Sequence, residues 1–167
     1  MVSARSFKYP FIFLIILFGC LSQIHAATFY LARHAEKLTG DNPGLTQAGH
    51  ERAHRIARIV TPSDIQKIYS TDYHRTQQTA APLAKKLGLS VITYDPKNLQ
   101  QFAEELRQSN ENAVIIGHSN TTPQLVRLLS GQAIPDMDEN IYHLIYQVMT
   151  FPESKNNKTA VNVLSSQ

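Results

Sequence analysis

"AVIIGHSN" runs from Ala113 to Asn120. Its first five residues carry no charge and no polar–apolar alternation, which describes a strand buried on both faces, as strands are inside a parallel sheet. Polar side chains follow at once, in His118, Ser119 and Asn120. The fold then depends on whether the rest of the chain supplies parallel neighbours for this strand and helices to cover them.

It supplies both. "TFYLA" (Thr28–Ala32) is a short β-prone run, and "LTQAGHERAHRIARIV" (Leu45–Val60) is helix-like, with Thr46 as its N-cap. "DIQKIYS" reads as a second strand ending at Ser70, and "RTQQTAAPLAKKLG" as a helix closed by Gly88. "SVITY" (Ser90–Tyr94) is a third strand and "LQQFAEELRQ" an amphipathic helix. Beyond Gly117, "PQLVRLLSG" is a helix with Pro123 in its first turn and Gly131 after its end. The β-prone runs "IYHLIYQVM" and "TAVNVLS" flank the polar loop "PESKNNK" and predict a hairpin. Strand–helix alternation through Gly131 predicts an α/β fold: a three-layer α/β/α sandwich around a mostly parallel central sheet.

The 167 residues suit one domain preceded by a leader. Met1–Ala26 opens with Arg5 and Lys8, continues in the apolar run "FIFLIILFGCL", and ends in "IHA", the pattern of a signal peptide cleaved after Ala26. An uncleaved anchor and a lipoprotein signal ending before Cys20 are the alternatives. All three place residues 27–167 outside the cytosol, periplasmic or secreted, with any membrane contact made through the N-terminus or a lipid on Cys20. Cys20 is the one cysteine, so no internal disulfide is expected. The formal charge of +3 includes Arg5 and Lys8; without them 14 basic residues face 13 acidic ones. So near-neutral a domain has no general attraction for nucleic acid.

Ligands of parallel sheets bind beyond the carboxyl ends of the strands. Arg33 and His34 follow the first strand, Arg75 the second, Asp95 the third and His118 the fourth. Arginine forks bind phosphate oxygens through paired hydrogen bonds. A neutral histidine nitrogen attacks phosphorus, and a second, protonated histidine can stabilise the charge that shifts onto the phosphoryl oxygens.

"YLARHAEK", "YSTDYHRTQQTA" and "VIIGHSNT" resemble, in this order, the three motif blocks of the histidine phosphatase superfamily, the phosphoglycerate-mutase-like fold; "LTQAG" resembles the start of that family's first helix. The resemblance spans about Thr28 to Gly131. It implies a phosphatase in which His34 becomes phosphohistidine, Arg33 and Arg75 grip the transferring group, and His118 is the second histidine. The substrate it implies is a small phosphorylated compound or a phosphoprotein, and no metal or organic cofactor is implied. Ala35 stands where many members have glycine. The short interval from Arg75 to His118 leaves out the insertion that carries a glutamate proton donor in larger members. Asp95 is the candidate donor, with Glu36 and Glu104 weaker ones; its bland role is a turn residue before Pro96. Without a placed acid, phosphohistidine, acyl phosphates and aryl phosphates are the favoured substrates. Asn120 either extends the pocket or caps the following helix. Protonation of His34 predicts an acid limb in the activity profile, and a profile flat down to about pH 4 counts against its role.

Other readings remain. His50, Glu51 and His54 in "HERAH" match the zinc pattern H-E-x-x-H. On a helix from Thr46 to Val60 they fall on the polar face, where Glu51 and Arg55 are spaced for an i,i+4 ion pair. No third zinc ligand is evident. "GHSNT" resembles a nucleophile elbow but lacks its last glycine. A non-catalytic phospholigand-binding domain is the third alternative.

Overall fold

The computed structural model describes residues 26–151 and 159–167. Residues 1–25 of the leader, with Cys20, and the "PESKNNK" loop lie outside the described residues. The elements are β1 (Ala27–Arg33), α1 (Gln47–Val60), β2 (Lys67–Ser70), α2 (His74–Leu87), β3 (Val91–Thr93), α3 (Leu99–Ser109), β4 (Ala113–Gly117), α4 (Thr121–Ser130), β5 (Leu144–Thr150) and β6 (Thr159–Ser165).

One six-stranded sheet has the order β3-β2-β4-β1-β5-β6. The first four strands in that order are parallel, while β5 runs antiparallel to β1 and β6 antiparallel to β5. Pleating divides the core in two. Phe29, Leu31 and Ile115 pack with Phe102, Leu106 and Leu125 of α3 and α4. Tyr30, Ala32 and Ile116 pack on the opposite face with Ile56, Val60 and Leu83 of α1 and α2. This is the three-layer sandwich expected. The chain steps from β1 over β4 to β2 and β3, then returns to β4; that reversal puts the two helix pairs on opposite faces, since crossovers share one hand. The histidine-bearing strands thereby become neighbours.

Local chemistry sets most boundaries. Thr46 caps α1 by accepting from the Gly49 N–H at 3.0 Å. Gly88 and Gly131 end α2 and α4 in the left-handed region, at φ 67° and 69°. Two strands begin later than their composition suggests. β2 starts at Lys67 because Thr61–Ser63 forms a single 3-10 turn and Asp64 is left-handed. β5 starts at Leu144 because 138–141 turns instead, with the Ile141 N–H bonded to the Asp138 carbonyl.

Gly49 is where α1 meets the backbone that follows the first strand. A Cβ there would lie 2.1 Å from the Glu36 carbonyl oxygen and 3.1 Å from Leu45 Cβ. Gly to Ala in an open helix stabilises by about 1 kcal/mol. Gly49→Ala is instead expected to destabilise by about 2–3 kcal/mol, because backbone must move. A chemical-denaturation midpoint at or above that of the parent protein would contradict this packing.

Candidate active site

The sheet register builds the site. Arg33 pairs with Gly117 across β1 and β4, and the His34 N–H donates to the Gly117 carbonyl at 3.0 Å. His34 and His118 therefore leave adjacent strands at one level, with ring centroids 5.6 Å apart and nearly edge-on. Arg75 joins them from the first turn of α2, directly after β2. These residues line a cavity of about 390 Å3 together with Arg33, Asn120 and Glu139.

His34 is buried, and its Nδ1 lies 2.8 Å from the Ala35 carbonyl. A carbonyl only accepts, so Nδ1 carries the proton and Nε2 keeps its lone pair. Burial lowers the pKa of His34 to about 3; the Ala35 bond opposes this, while Arg33, Arg75 and His118 add to it. His118 is lowered to about 4, by burial first and then by Arg75 and Arg33, against Glu139. Its Nε2 lies 2.9 Å from Thr71 Oγ1, and Arg75 Nη2 is 3.5 Å from its Nδ1. Arg75 can only donate, so Nδ1 is the acceptor and Nε2 carries the hydrogen. Both imidazoles are thus neutral at pH 7, and protonating His118 calls for an incoming anion. With His34 at about 3, the acid limb expected from its protonation lies below pH 4 rather than above it.

These shifts make stability pH-dependent with a definite sign. An unfolded histidine binds its proton near pH 6.5, whereas the folded ones wait until about pH 3 and 4. The unfolded state therefore binds more protons between those limits, and stability is lost as pH falls from 6.5 toward 4. In an NMR titration the His34 and His118 ring signals, assigned from single substitutions, should stay unshifted from pH 7.5 to 5. Midpoints near 6.5 for both would overturn the electrostatics of the site.

The two arginines differ. Arg33 is 1% exposed and points its fork at the turn before β5. Nη1 donates to the Glu139 carbonyl at 2.5 Å and to the Asp138 and Ile141 carbonyls at 3.3 Å; Nη2 donates to Glu139 Oε2 at 2.7 Å. Its guanidinium carbon sits 4.3 Å from the Tyr142 ring centroid. Arg75 stacks on Tyr73 at 4.4 Å and forms no ion pair among the described residues. The Nε of each arginine is buried without a partner among those residues. Buried donors are nearly always satisfied, so these two N–H groups suit an anionic ligand.

Asp95 does not join them. Its carboxylate accepts from the Lys97 N–H and from Asn98 Nδ2, each at 2.9 Å, and closes the turn before α3. It lines a separate depression with Tyr69 and Phe102. Glu36 is clamped by Arg52, whose Nη2 lies 2.7 Å from Oε1, and exposed Glu104 accepts from Gln100 within α3. Asn120 lines the cavity and makes no side-chain cap to α4. The carboxylate at the site is Glu139. The Ser119 hydroxyl, 2.6 Å from its Oε1, holds its pKa low; burial opposes this, and Arg33 reinforces it. Nothing in "DMDEN" marks Glu139 in sequence: its partner lies 106 residues away.

"HERAH" is unrelated to this cavity. His50, Glu51 and His54 are exposed. Glu51 accepts from Gln47 at 3.1 Å, and Arg55 donates to the Ser166 carbonyl at 3.0 Å, so the expected Glu51–Arg55 pair is not formed. No group of three or more His, Cys, Asp or Glu among the described residues is placed to hold a metal ion. Nor is Ser119 an elbow nucleophile: its φ is not positive, and its hydroxyl donates to Glu139 rather than to a histidine.

A mostly parallel sheet with His34, Arg33, Arg75 and His118 at its carboxyl edge defines a class of protein. The family model described as "Histidine phosphatase superfamily (branch 1)" matches residues 29–98. Over that segment the chain is similar in sequence to the histidine phosphatase superfamily. It is 32% identical over 116 residues to the "probable phosphoglycerate mutase GpmB" of Yersinia pestis (strain Pestoides F), a match over 64% of this chain and 53% of that one. The chain thus spans about half the length of the curated relatives it matches. In fold it is similar to the protein histidine phosphatase SixA complexed with tungstate, at TM-score 0.68, 17% identity, 83% of this chain and 97% of that one. It is also similar to the mycobacterial glucosyl-3-phosphoglycerate phosphatase Rv2419c, at TM-score 0.70, 12% identity, 86% and 100%.

Proposed function

We propose that the protein is a phosphatase that hydrolyses phosphomonoesters or phosphoramidates through a phosphohistidine on His34. The observation that carries this reading is the tautomer of His34: Nδ1 is committed to the Ala35 carbonyl, so Nε2 is the free nitrogen beside two arginines with unpartnered N–H groups. In the first step the Nε2 lone pair forms an N–P bond, and the bond from phosphorus to the leaving group breaks with its electrons. The ring acquires positive charge, which the Ala35 carbonyl stabilises through Nδ1–H. In the second step water attacks phosphorus, the N–P bond breaks, and inorganic phosphate leaves. Arg75, the Nε of Arg33 and His118 hold the phosphoryl oxygens in both steps, His118 taking up a proton as the dianion binds.

Among the described residues no carboxylic acid is poised to protonate the leaving group. Asp95 is turned away, and Glu139 is kept anionic by Ser119 and Arg33. The favoured substrates are therefore those whose leaving group needs little protonation: phosphohistidine, acyl phosphates and aryl phosphates. With Met1–Ala26 read as an export leader, this chemistry takes place outside the cytosol.

The test is phosphate release from p-nitrophenyl phosphate by the purified protein in EDTA. Turnover that resists the chelator supports the reading. Turnover abolished by EDTA and restored by zinc would replace it with a metal route. Binding of phosphate without turnover of aryl phosphate or phosphohistidine would identify a phospholigand-binding domain instead.

A further inference from the structure

Two threonines that do not reach the cavity decide which nitrogen of His118 does. Thr71 and Thr76 are fully buried, and neither lines the cavity. Thr71 follows β2 directly, and Thr76 stands in the first turn of α2, one residue after Arg75. Their hydroxyls form a chain that ends on the second histidine. Thr76 Oγ1 lies 2.9 Å from both the Thr71 and the Tyr73 carbonyl oxygens. Thr71 Oγ1 lies 3.0 Å from Thr76 Oγ1 and 2.9 Å from His118 Nε2.

Counting hydrogens gives this chain one direction. A carbonyl only accepts, and each hydroxyl has a single hydrogen. The Thr76 hydrogen goes to one of its two carbonyls, since any other direction would set hydroxyl lone pairs against both oxygens. Thr76 Oγ1 therefore accepts from Thr71. The Thr71 hydrogen is then committed, and Thr71 Oγ1 meets His118 as an acceptor. Nε2 must carry the ring hydrogen. The 3.5 Å approach of Arg75 to Nδ1 agrees with this and is not needed for it. The ring has little room to turn: Tyr73 and His34 meet it nearly edge-on, with centroids 5.1 and 5.6 Å away.

We propose that Thr76 and Thr71 are positioning residues that fix His118 as the Nε2–H tautomer, leaving a bare Nδ1 beside Arg75 to take the proton that pairs with the phosphoryl dianion. The inference rests on the proposed phosphatase site. The proton comes from solvent with the ligand and adds at Nδ1, whose N–H then donates to a phosphoryl oxygen, while Nε2–H stays on Thr71. In the opposite tautomer Nδ1–H would face the Arg75 guanidinium. The incoming proton would have to enter at Nε2, against buried hydroxyls that carry no counter-charge.

The test is nitrogen NMR of the 15N-labelled full chain at neutral pH, with His118 assigned by His118→Asn, joined to rates on p-nitrophenyl phosphate. In the free protein Nε2 is expected to be the protonated nitrogen and Nδ1 the bare one. Inorganic phosphate should move the Nδ1 signal into the protonated range and leave Nε2 unshifted. Thr76→Val and Thr71→Val keep the side-chain shape and break the chain; each should mix the tautomers and lower kcat by about 10- to 100-fold, with KM changed less than about threefold. Thr76→Ser and Thr71→Ser should recover the single tautomer and most of the parent kcat. A free-state His118 protonated at Nδ1, or a parent-like tautomer and kcat in both valine variants, would overturn the inference with the phosphatase reading intact. So would serine variants as slow as the valine ones, since packing rather than the hydroxyl would then be responsible. If the parent protein turns over no aryl phosphate and phosphate leaves Nδ1 bare, both readings fall.

Discussion

Replacing His34 by alanine is expected to lower kcat on p-nitrophenyl phosphate by about 10^4-fold, the scale on which removal of a nucleophile acts. Inorganic phosphate should still bind, since Arg75, His118 and the Nε of Arg33 remain. Affinity should change by less than about tenfold, because the imidazole is neutral and contributes no charge to binding. Removing a ring that is 3% exposed leaves a hole beside β4, so a stability loss of about 1–2 kcal/mol accompanies the kinetic effect. Steady-state rates, phosphate inhibition and a denaturation curve on one preparation separate the three quantities. A variant that keeps a tenth of the parent kcat would remove His34 from the chemistry.

Arg33→Ala should damage stability and activity together. The buried guanidinium collects the Asp138, Glu139 and Ile141 carbonyls and the Glu139 carboxylate, and so ties the turn before β5 to the end of β1. Without it the Glu139 and Ile141 carbonyls lose their donor, the Asp138 carbonyl keeps only the Ile141 N–H, and Tyr142 loses the cation on its ring. Glu139 is mostly exposed, so its ion pair alone stabilises little. The orphaned carbonyls and the lost packing set the cost at about 2 kcal/mol. Turnover should fall about 10^3-fold through loss of the Nε donor and displacement of the turn. Glu139→Gln keeps the carbonyl contacts and a neutral acceptor, so it should preserve most of the stability. Comparing the two variants by thermal melts and kcat/KM separates the arginine's structural role from its charge. Equal losses in both would contradict the assignment of Nε to the ligand.

The parts of the fold legible in sequence are those fixed by local chemistry. β4 is a continuous apolar run and was found over its observed bounds, Ala113–Gly117. Thr46, Gly88 and Gly131 mark helix ends because capping and left-handed backbone are properties of single residues. The boundaries that moved respond to distant groups. "IYHLIYQVM" has strand composition from Ile141, yet Arg33, 108 residues earlier, takes the Ile141 carbonyl and holds that stretch in a turn. Propensity carries no trace of such a contact.

The site divides in the same way. His34, Arg33, Arg75 and His118 were legible because a strand end places backbone, and these side chains leave directly from it. Asp95 occupies the expected strand end, but its short side chain is captured by the Lys97 N–H and by Asn98. Position along the chain was right; direction was set by a local hydrogen bond. Glu51 and Arg55 have the spacing of an ion pair, but Arg55 is drawn to the C-terminal Ser166 carbonyl. Glu139 was invisible for the converse reason: only the three-dimensional position of a buried arginine calls for its carboxylate.

The most direct measurement is to trap the covalent intermediate. The protein is mixed with 32P-labelled acetyl phosphate, quenched in alkali, digested and mapped. Label is expected on the peptide containing His34, stable in alkali and lost in acid as phosphoramidates are, with none in His34→Ala. Label on another residue, or hydrolysis at full rate by the His34→Ala variant, would contradict a phosphohistidine on His34.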